Sequence, residues 1–248
     1  MTTPAERPPL TSRARRWATL VAIPGVLVML ALGAWQTQRL SWKASEQAYR
    51  DERVAAAPIE LPATVDDPAV LFYRHVIVEG EFLHDQEMFL GARSHQRQLG
   101  FQVITPFKRT SGDTILLNRG WVPLERKEPR HRRAGQVSGT VRIEGLVVPG
   151  GHDAWFAPDN HPETRLWYWV DLVSLSAIAG IPIQGFIVDA GAAENPGGFP
   201  LGGQTIVTLR NEHLSYAITW YALAVGLAVI YVIFMRGTRR PPVPIKQP

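Results

Sequence analysis

The stretch that decides the fold is LSYAITWYALAVGLAVIYVIFM, residues 214–235, which contains no charged side chain. At about 1.5 Å per residue, a helix of this length reaches about 33 Å, close to the thickness of the bilayer hydrocarbon. Arg236 follows at once. An amphipathic helix lying on the membrane surface is the alternative, but it needs a polar face that this stretch lacks. We therefore predict a transmembrane helix, with its outer-face signature, over residues 210–235.

A second apolar stretch, WATLVAIPGVLVMLALGAW, covers residues 17–35 and is also uncharged. Trp17 and Trp35 stand at its ends, where aromatic side chains favour the two membrane interfaces. A cleaved signal peptide is the alternative, because residues 31–33 (Ala-Leu-Gly) loosely resemble a cleavage site. The length of the apolar run and the helical pattern beyond it favour a first transmembrane helix over residues 17–35.

The residues after this first span turn polar but remain good helix formers as far as Pro58. A helix ends before such a proline, because the ring disfavours helical geometry at the preceding residue. We therefore predict a helical stalk over residues 36–57, followed by a separate domain over residues 58–209.

The charge distribution indicates the orientation in the membrane. The net charge of the chain is +4; residues 1–16 carry +3 and residues 236–248 carry +4, which leaves −3 for the residues between. Because the basic residues lie mainly in the tails, nucleic acid is not an expected partner. Arginine-rich flanks at the outer ends of both spans predict cytoplasmic basic tails at residues 1–16 and 236–248. We expect a multi-pass protein of a bacterial-type inner membrane, with an extracytoplasmic central domain.

The central domain shows the two-residue alternation of β-strands. Strands are predicted at residues 75–82, 87–92, 101–107, 115–122, 141–147, 166–170, 185–188 and 204–209, with a hairpin turn at 111–113. A short helix is predicted at Leu172–Ala179, with Asp171 as N-cap and Gly180 at its end. The fold class is therefore a membrane protein whose two transmembrane α-helices flank an α+β, mostly antiparallel β domain, or a small barrel. Residues 191–203 read as a flexible connector.

The chain offers little that suggests catalysis. It has no cysteine, which excludes thiol nucleophiles, disulfides and thiolate metal sites. No Ser–His–Asp pattern, phosphate loop or clear carboxylate pair is visible, so we predict that the protein is not an enzyme. The basic run at residues 126–133 reads as a solvated loop, or as a surface for an acidic partner.

His213 is the unusual residue, because it lies at the outer end of the second span, where a titratable ring is costly unless it has a partner. Tyr216, Ala217 and Trp220 follow on the same helical face. Such a face could bind a haem iron through the imidazole and stack on the macrocycle. The more ordinary interpretation of this spacing is an interfacial aromatic belt that only anchors the helix. Arg39 and Arg210, just outside the two spans, suit either haem propionates or lipid phosphates.

Five motifs occur in one order along nearly the whole chain. They are LGAWQTQRLSWK (32–43), VEGEF (78–82), NRGWVP (118–123), the Phe156-x-Pro158-x-Asn160-x-Pro162 loop with Trp167 and Asp171, and RNEHLSYAITWYALA (210–224). Together they resemble the Surfeit locus protein one family. The resemblance implies an assembly factor for haem–copper cytochrome c oxidase that acts on subunit I. For bacterial members it implies transient binding of haem a.

The resemblance also assigns residues. The family's histidine in the second helix matches His213, which implies that it ligates the haem iron, and Tyr216, Trp220 and Tyr221 match its aromatic neighbours. The first-helix signature matches a second set (Gly33, Trp35, Gln36 and Arg39), while Gly120 and Trp121 match a structural motif of the domain. Expected partners are oxidase subunit I, other assembly factors and membrane lipid. The alternative function is a cofactor-free membrane scaffold that stabilises an oxidase assembly intermediate; an envelope enzyme is a third.

Overall fold

The computed structural model describes residues 11–151, 155 and 157–237, which form two compact units. The helical unit contains residues up to 48 and from 208 onward, and the β unit contains residues 49–207. Three parts of the sequence considered above lie outside the described residues: residues 1–10 and 238–248 of the basic tails, and Phe156 of the fourth motif.

The described chain contains three α-helices and eight strands. The helices are α1 (Ser12–Ala55), α2 (Leu172–Ala179) and α3 (His213–Gly237). The strands are β1 (Ile59–Glu60), β2 (His75–Phe82), β3 (Met88–His95), β4 (Gln98–Arg109), β5 (Thr114–Pro123), β6 (Val141–Pro149), β7 (Leu166–Trp167) and β8 (Phe186–Ala190).

Both long helices have the length and composition of a membrane span. Their most apolar 18-residue windows have mean hydropathies of 2.1 in α1 and 2.2 in α3, yet only 11% and 6% of those windows are buried. The core helix of a water-soluble protein would bury most of such a surface, whereas lipid solvates it. The two helices therefore support a membrane protein. Helix α1 also runs on through the predicted stalk and ends at Ala55, before Pro58.

Helices α1 and α3 pack antiparallel within the helical unit. Near the start of α1, the Thr19 hydroxyl lies 2.8 Å from the Tyr231 hydroxyl. Near the other end of the unit, the Gln47 side-chain oxygen accepts a 2.7 Å hydrogen bond from the Leu209 amide. Small residues allow the close approach between the helices; the buried ones are Ala22, Gly33, Ala217 and Ala224.

In the β unit, five strands close into a ring. The sheet order is β1-β2-β6-β8-β5-β4-β3-β7, and β2 also pairs with β4, which joins β2, β6, β8, β5 and β4 into a small barrel. Each of these strands contributes to one buried cluster, which includes Val78, Phe107, Leu117, Val147 and Val188. A second cluster, including Met88, Ile104, Trp167 and Leu175, packs β3, β7 and α2 against the outside of the ring.

Two predictions about the sheet need correction. The sheet is mixed rather than simply mostly antiparallel, because β1–β2, β3–β7 and β5–β8 pair in parallel. Alternating hydrophobicity predicts a strand but carries no information about its partner's direction. The strand predicted at residues 204–209 is wrong, since this segment forms no strand and pairs with none of the eight. Every strand of the closed ring already has two neighbours, so the ring offers no free edge to it.

The locally encoded features are confirmed. Helix α2 spans Leu172–Ala179; the Asp171 carboxylate accepts hydrogen bonds from the amides of residues 173 and 174, and Gly180 ends the helix with a left-handed backbone. Residues 111–113 form the turn between β4 and β5, with φ of +99° at Gly112. Strand β5, predicted at residues 115–122, spans Thr114–Pro123 and is almost wholly buried.

Candidate functional site

His213 is the first residue of α3, and its ring is held by a side chain of α1. The Nδ1 atom lies 2.6 Å from Oε1 of Gln36. Gln36 is only 8% exposed and is the one buried polar residue among the described residues of the helical unit. A buried amide is costly in apolar surroundings unless it is hydrogen-bonded, and the His213 ring supplies that partner. The first-helix signature and the second-helix histidine are thus in direct contact.

The aromatic neighbours predicted from spacing are not stacked on this ring. Trp220 is partly buried and Tyr216 is 56% exposed. Among the described residues no ring contact joins either of them to His213. Their role as neighbours of a haem therefore stays a prediction.

Tyr221 instead holds the helices together. A Cβ atom placed on Gly33 would lie 2.6 Å from the Tyr221 ring, so the ring rests directly on the glycine. The Tyr221 hydroxyl lies 3.3 Å from the Thr37 hydroxyl of α1. Gly33 in the first-helix signature is therefore explained by the space that an aromatic ring of α3 requires.

The two arginines predicted near the site are exposed, and each has a local partner. The Arg39 guanidinium lies 4.5 Å from the centre of the Trp42 ring. The Arg210 Nε atom lies 3.1 Å from a carboxylate oxygen of Glu212, and the Arg210 side chain is 85% exposed. Exposed ion pairs of this kind contribute little and exchange readily. The Arg210 guanidinium can therefore still reach an anionic group at the surface, and Arg39 is exposed beside Trp42.

A second polar cluster, missed by the sequence analysis, is buried in the β unit around Glu87. One carboxylate oxygen of Glu87 accepts hydrogen bonds from Arg119 at 3.0 Å, from Arg132 at 3.0 Å and from Gln136 at 3.1 Å. Arg132 also donates to the other oxygen, and the Arg119 guanidinium donates to the carbonyl of Gly135. The side chains of all three charged residues are at most 3% exposed.

The surroundings set the charge states in this cluster. Burial alone would raise the pKa of Glu87, but the polar groups of His84, Arg132 and Gln136 and the positive charge of Arg132 outweigh it, so the pKa falls to about 2. Burial lowers the pKa of Arg119 to about 10, with the Glu87 carboxylate opposing that fall. One carboxylate is thus held ionised between two buried guanidinium groups.

The Glu87 cluster revises the interpretation of the basic run at 126–133. Arg132 is buried and ion-paired rather than solvated, while Arg126, Arg130 and Arg133 are exposed, as predicted for a loop. Glu87 and Arg132 are 45 residues apart, and no local pattern connects them. The only available signal was Arg119 within the NRGWVP motif.

The remainder of that motif is structural. The Asn118 amide donates a 3.0 Å hydrogen bond to the Asp189 carboxylate, while its own oxygen accepts from the Gly120 amide. Asp189 is partly buried, and the loss of solvent around its carboxylate raises its pKa, while hydrogen bonds from Thr205 and Asn118 oppose the rise. Gly120 has φ of +112°, and a Cβ atom there would lie 1.9 Å from the Leu201 carbonyl oxygen. The close approach of Gly120 to Leu201, together with the backbone hydrogen bonds between Trp121 and Leu201, attaches Leu201 of the predicted connector to β5. No group of three histidine or acidic side chains with metal-binding geometry occurs among the described residues.

The fold and the site together define a class of protein. Two membrane-type helices lie on either side of a small β-barrel in the sequence, and the hydrogen bond between Gln36 and His213 joins those helices. The sequence model of the SURF1 family matches residues 23–225. The chain belongs to the SURF1 family.

Named relatives agree with this assignment over most of their length. A "SURF1-like protein" of Monosiga brevicollis is 42% identical over 245 residues, covering 91% of this chain and 92% of the relative. The "Surfeit locus protein 1" of Homo sapiens is 38% identical over 240 residues, covering 90% of this chain and 78% of the relative. A "SURF1-like protein" of Drosophila melanogaster is 35% identical over 232 residues, covering 86% of this chain and 75% of the relative.

Proposed function

We propose that this chain is an assembly factor for cytochrome c oxidase that holds haem a at His213 and assists its insertion into subunit I. Membership of the SURF1 family supports the coarser statement, a non-enzymatic role in cytochrome c oxidase assembly. The haem part rests on one observation, the hydrogen bond that holds the His213 ring at the start of α3.

The residues present fit haem a as a cargo. A histidine imidazole is a common axial ligand of haem iron. The Nε2 atom of His213 has no hydrogen bond to any described residue, so it can serve as that ligand. The exposed apolar surfaces of α1 and α3 suit a macrocycle with a long isoprenoid tail. The predicted neighbours Tyr216 and Trp220 would line the porphyrin, and Arg39 and Arg210 would meet its propionates.

A carrier must release what it binds. His213 is the single histidine in the described part of the helical unit, so the chain would supply one axial ligand and no more. A single histidine would hold the iron and leave it accessible to a ligand from the receiving protein. This arrangement suits a cofactor that is presented to subunit I and then transferred.

The same proposal includes an orientation. Arg13, Arg15 and Arg16 begin α1, and Arg236 lies in the last turn of α3, so both flanks are basic at the same end of the antiparallel pair. Under the positive-inside rule that end faces the cytoplasm. His213 would then lie at the outer membrane surface, and the β unit would be extracytoplasmic. We propose a bacterial-type cell membrane as the location.

A cofactor-free scaffold is the second candidate. Two observations favour it. Among the described residues, neither Tyr216 nor Trp220 stacks on His213, and Arg210 already pairs with Glu212. In that case the His213–Gln36 bond would serve only to join the two helices. The protein would stabilise an oxidase assembly intermediate through its surfaces.

Complementation of a deletion strain separates the two candidates. The strain would be complemented with the wild type, with His213→Ala or with a control, His131→Ala, which alters an exposed histidine of the β unit. The haem a content of purified oxidase and the amount of assembled complex would both be measured. The carrier role predicts oxidase deficient in haem a with His213→Ala only. Normal haem a per oxidase, with less complex, would contradict it and favour the scaffold.

A further inference from the structure

We propose that Gln36 is a positioning residue for His213, which selects the imidazole tautomer that can bind a metal. The inference rests on the proposed haem function, but it concerns a different residue and has its own observable. It also gives the glutamine of the first-helix signature a physical role. The argument starts from the 2.6 Å contact between Gln36 Oε1 and His213 Nδ1.

A hydrogen bond to this oxygen determines where the ring proton lies. An amide oxygen can only accept, so the Nδ1 atom must carry the proton and donate it. In a neutral imidazole with Nδ1–H, the lone pair lies on Nε2. The ring is then locked with its basic nitrogen directed away from Gln36. This is the nitrogen that an iron would need.

The chemical identity of the acceptor also matters. Histidines that bind metals almost always donate their other ring N–H to an acceptor, which fixes the ring orientation and raises its basicity. A carboxylate in that place would add a charge among apolar helices, where charges are costly. The amide of Gln36 is neutral and buried, so it can fix the ring without that cost. A neutral acceptor also raises the ligand's basicity less, which suits a reversible carrier.

The chain offers a matched control two residues away. Gln38 lies on the same helix, but it is exposed, and its side chain makes no hydrogen bond to a described residue. Replacing either glutamine with leucine makes the same chemical change on the same helix. Only Gln36→Leu removes the acceptor from Nδ1. Gln36→Glu restores an oxygen acceptor at the same reach, at a cost in stability from the buried charge, and serves as the rescue variant for the orientation of the ring.

The first measurement needs no haem. Full-length protein labelled with ¹⁵N-histidine would be purified in detergent micelles without haem, and the two ring nitrogens of His213 would be identified by NMR. We expect Nδ1 to carry the proton in the wild type, in Gln38→Leu and in Gln36→Glu, and a mixture of tautomers in Gln36→Leu. A wild-type ring protonated on Nε2 would overturn the proposal, because the glutamine amide would then be the donor.

The second measurement is titration of the same proteins with haem a. Loss of a group that orients a metal ligand typically weakens affinity about 10- to 100-fold, which is the change we expect for Gln36→Leu alone. Recovery with Gln36→Glu supports positioning over a purely structural role. Wild-type affinity in a folded Gln36→Leu variant would overturn the role of Gln36 and leave the haem proposal intact. A wild type that binds no haem a would overturn both.

Discussion

Gln36 of α1 and His213 of α3 are 177 residues apart in the chain, yet their side chains meet at 2.6 Å. The contact joins the two helices through Gln36, the one buried polar residue among the described residues of the helical unit. It also connects the two motifs that frame the β unit in the sequence. A single hydrogen bond thus links the helical architecture to the residue proposed to carry the function.

The packing of Tyr221 on Gly33 predicts that α1 does not tolerate a side chain at this point. Gly33→Ala places a methyl group 2.6 Å from the Tyr221 ring, and such overpacking costs about 1–3 kcal/mol. We expect a lower midpoint of thermal unfolding for the detergent-solubilised protein. Gly226→Ala is the control, since nothing lies within 4 Å of its Cβ position and alanine favours the helix. Equal midpoints for the two variants would contradict the packing described here.

The Glu87 cluster predicts a specific loss of stability in acid. The pKa of Glu87 is about 2 in the folded protein against an ordinary value of 4.5, so the unfolded chain takes up the proton first as the pH falls. The stabilisation is therefore complete above about pH 4.5 and disappears as the pH approaches 2. Its size is about 3 kcal/mol, from 1.4 kcal/mol per unit of pKa. Denaturant unfolding at a series of pH values measures this directly.

Two variants show whether Glu87 is the source of that pH dependence. Glu87→Gln leaves two buried guanidinium groups without a counter-charge, which costs about 3–5 kcal/mol at neutral pH. The same variant should lose part of the pH dependence between 4.5 and 2. Glu79→Gln, at an exposed position of β2, should behave like the wild type. An unaltered pH profile in Glu87→Gln would show that another group titrates.

The backbone at Gly120 predicts a graded effect of two alanine substitutions. Gly112 and Gly120 both have positive φ, which costs an alanine about 1–2 kcal/mol. At Gly112 nothing lies within 4 Å of the added methyl group, whereas at Gly120 it meets the Leu201 carbonyl at 1.9 Å. Gly120→Ala should therefore lower the free energy of unfolding clearly more than Gly112→Ala. Equal losses would mean that Leu201 does not pack against β5.

Much of this structure could be predicted because its signals are local. Asp171 and Gly180 mark the ends of α2, and the uncharged runs at 17–35 and 214–235 mark the apolar helices. The parallel pairing of β5 with β8 could not be predicted in this way, because it depends on where the chain returns after α2. The Glu87 cluster and the Gln36–His213 bond could not be predicted either, because their partners are dozens of residues apart and no local pattern connects them.

The site residues were therefore found as single positions and not as a set. His213 is conspicuous in the sequence because an imidazole at the end of an apolar helix needs a partner, but its spacing indicates aromatic neighbours rather than a glutamine of the other helix. Spacing along one helix reports which residues share a face. It cannot report which side chain of a second helix lies opposite.

The central claim, that His213 holds haem a, is tested most directly by the visible spectrum of the protein purified from cells that make haem a. The wild type and His131→Ala should carry haem a with the spectrum of a histidine-ligated haem, and His213→Ala should carry little or none. A wild type without haem a, or a His213→Ala variant that retains as much as the wild type, would contradict the claim.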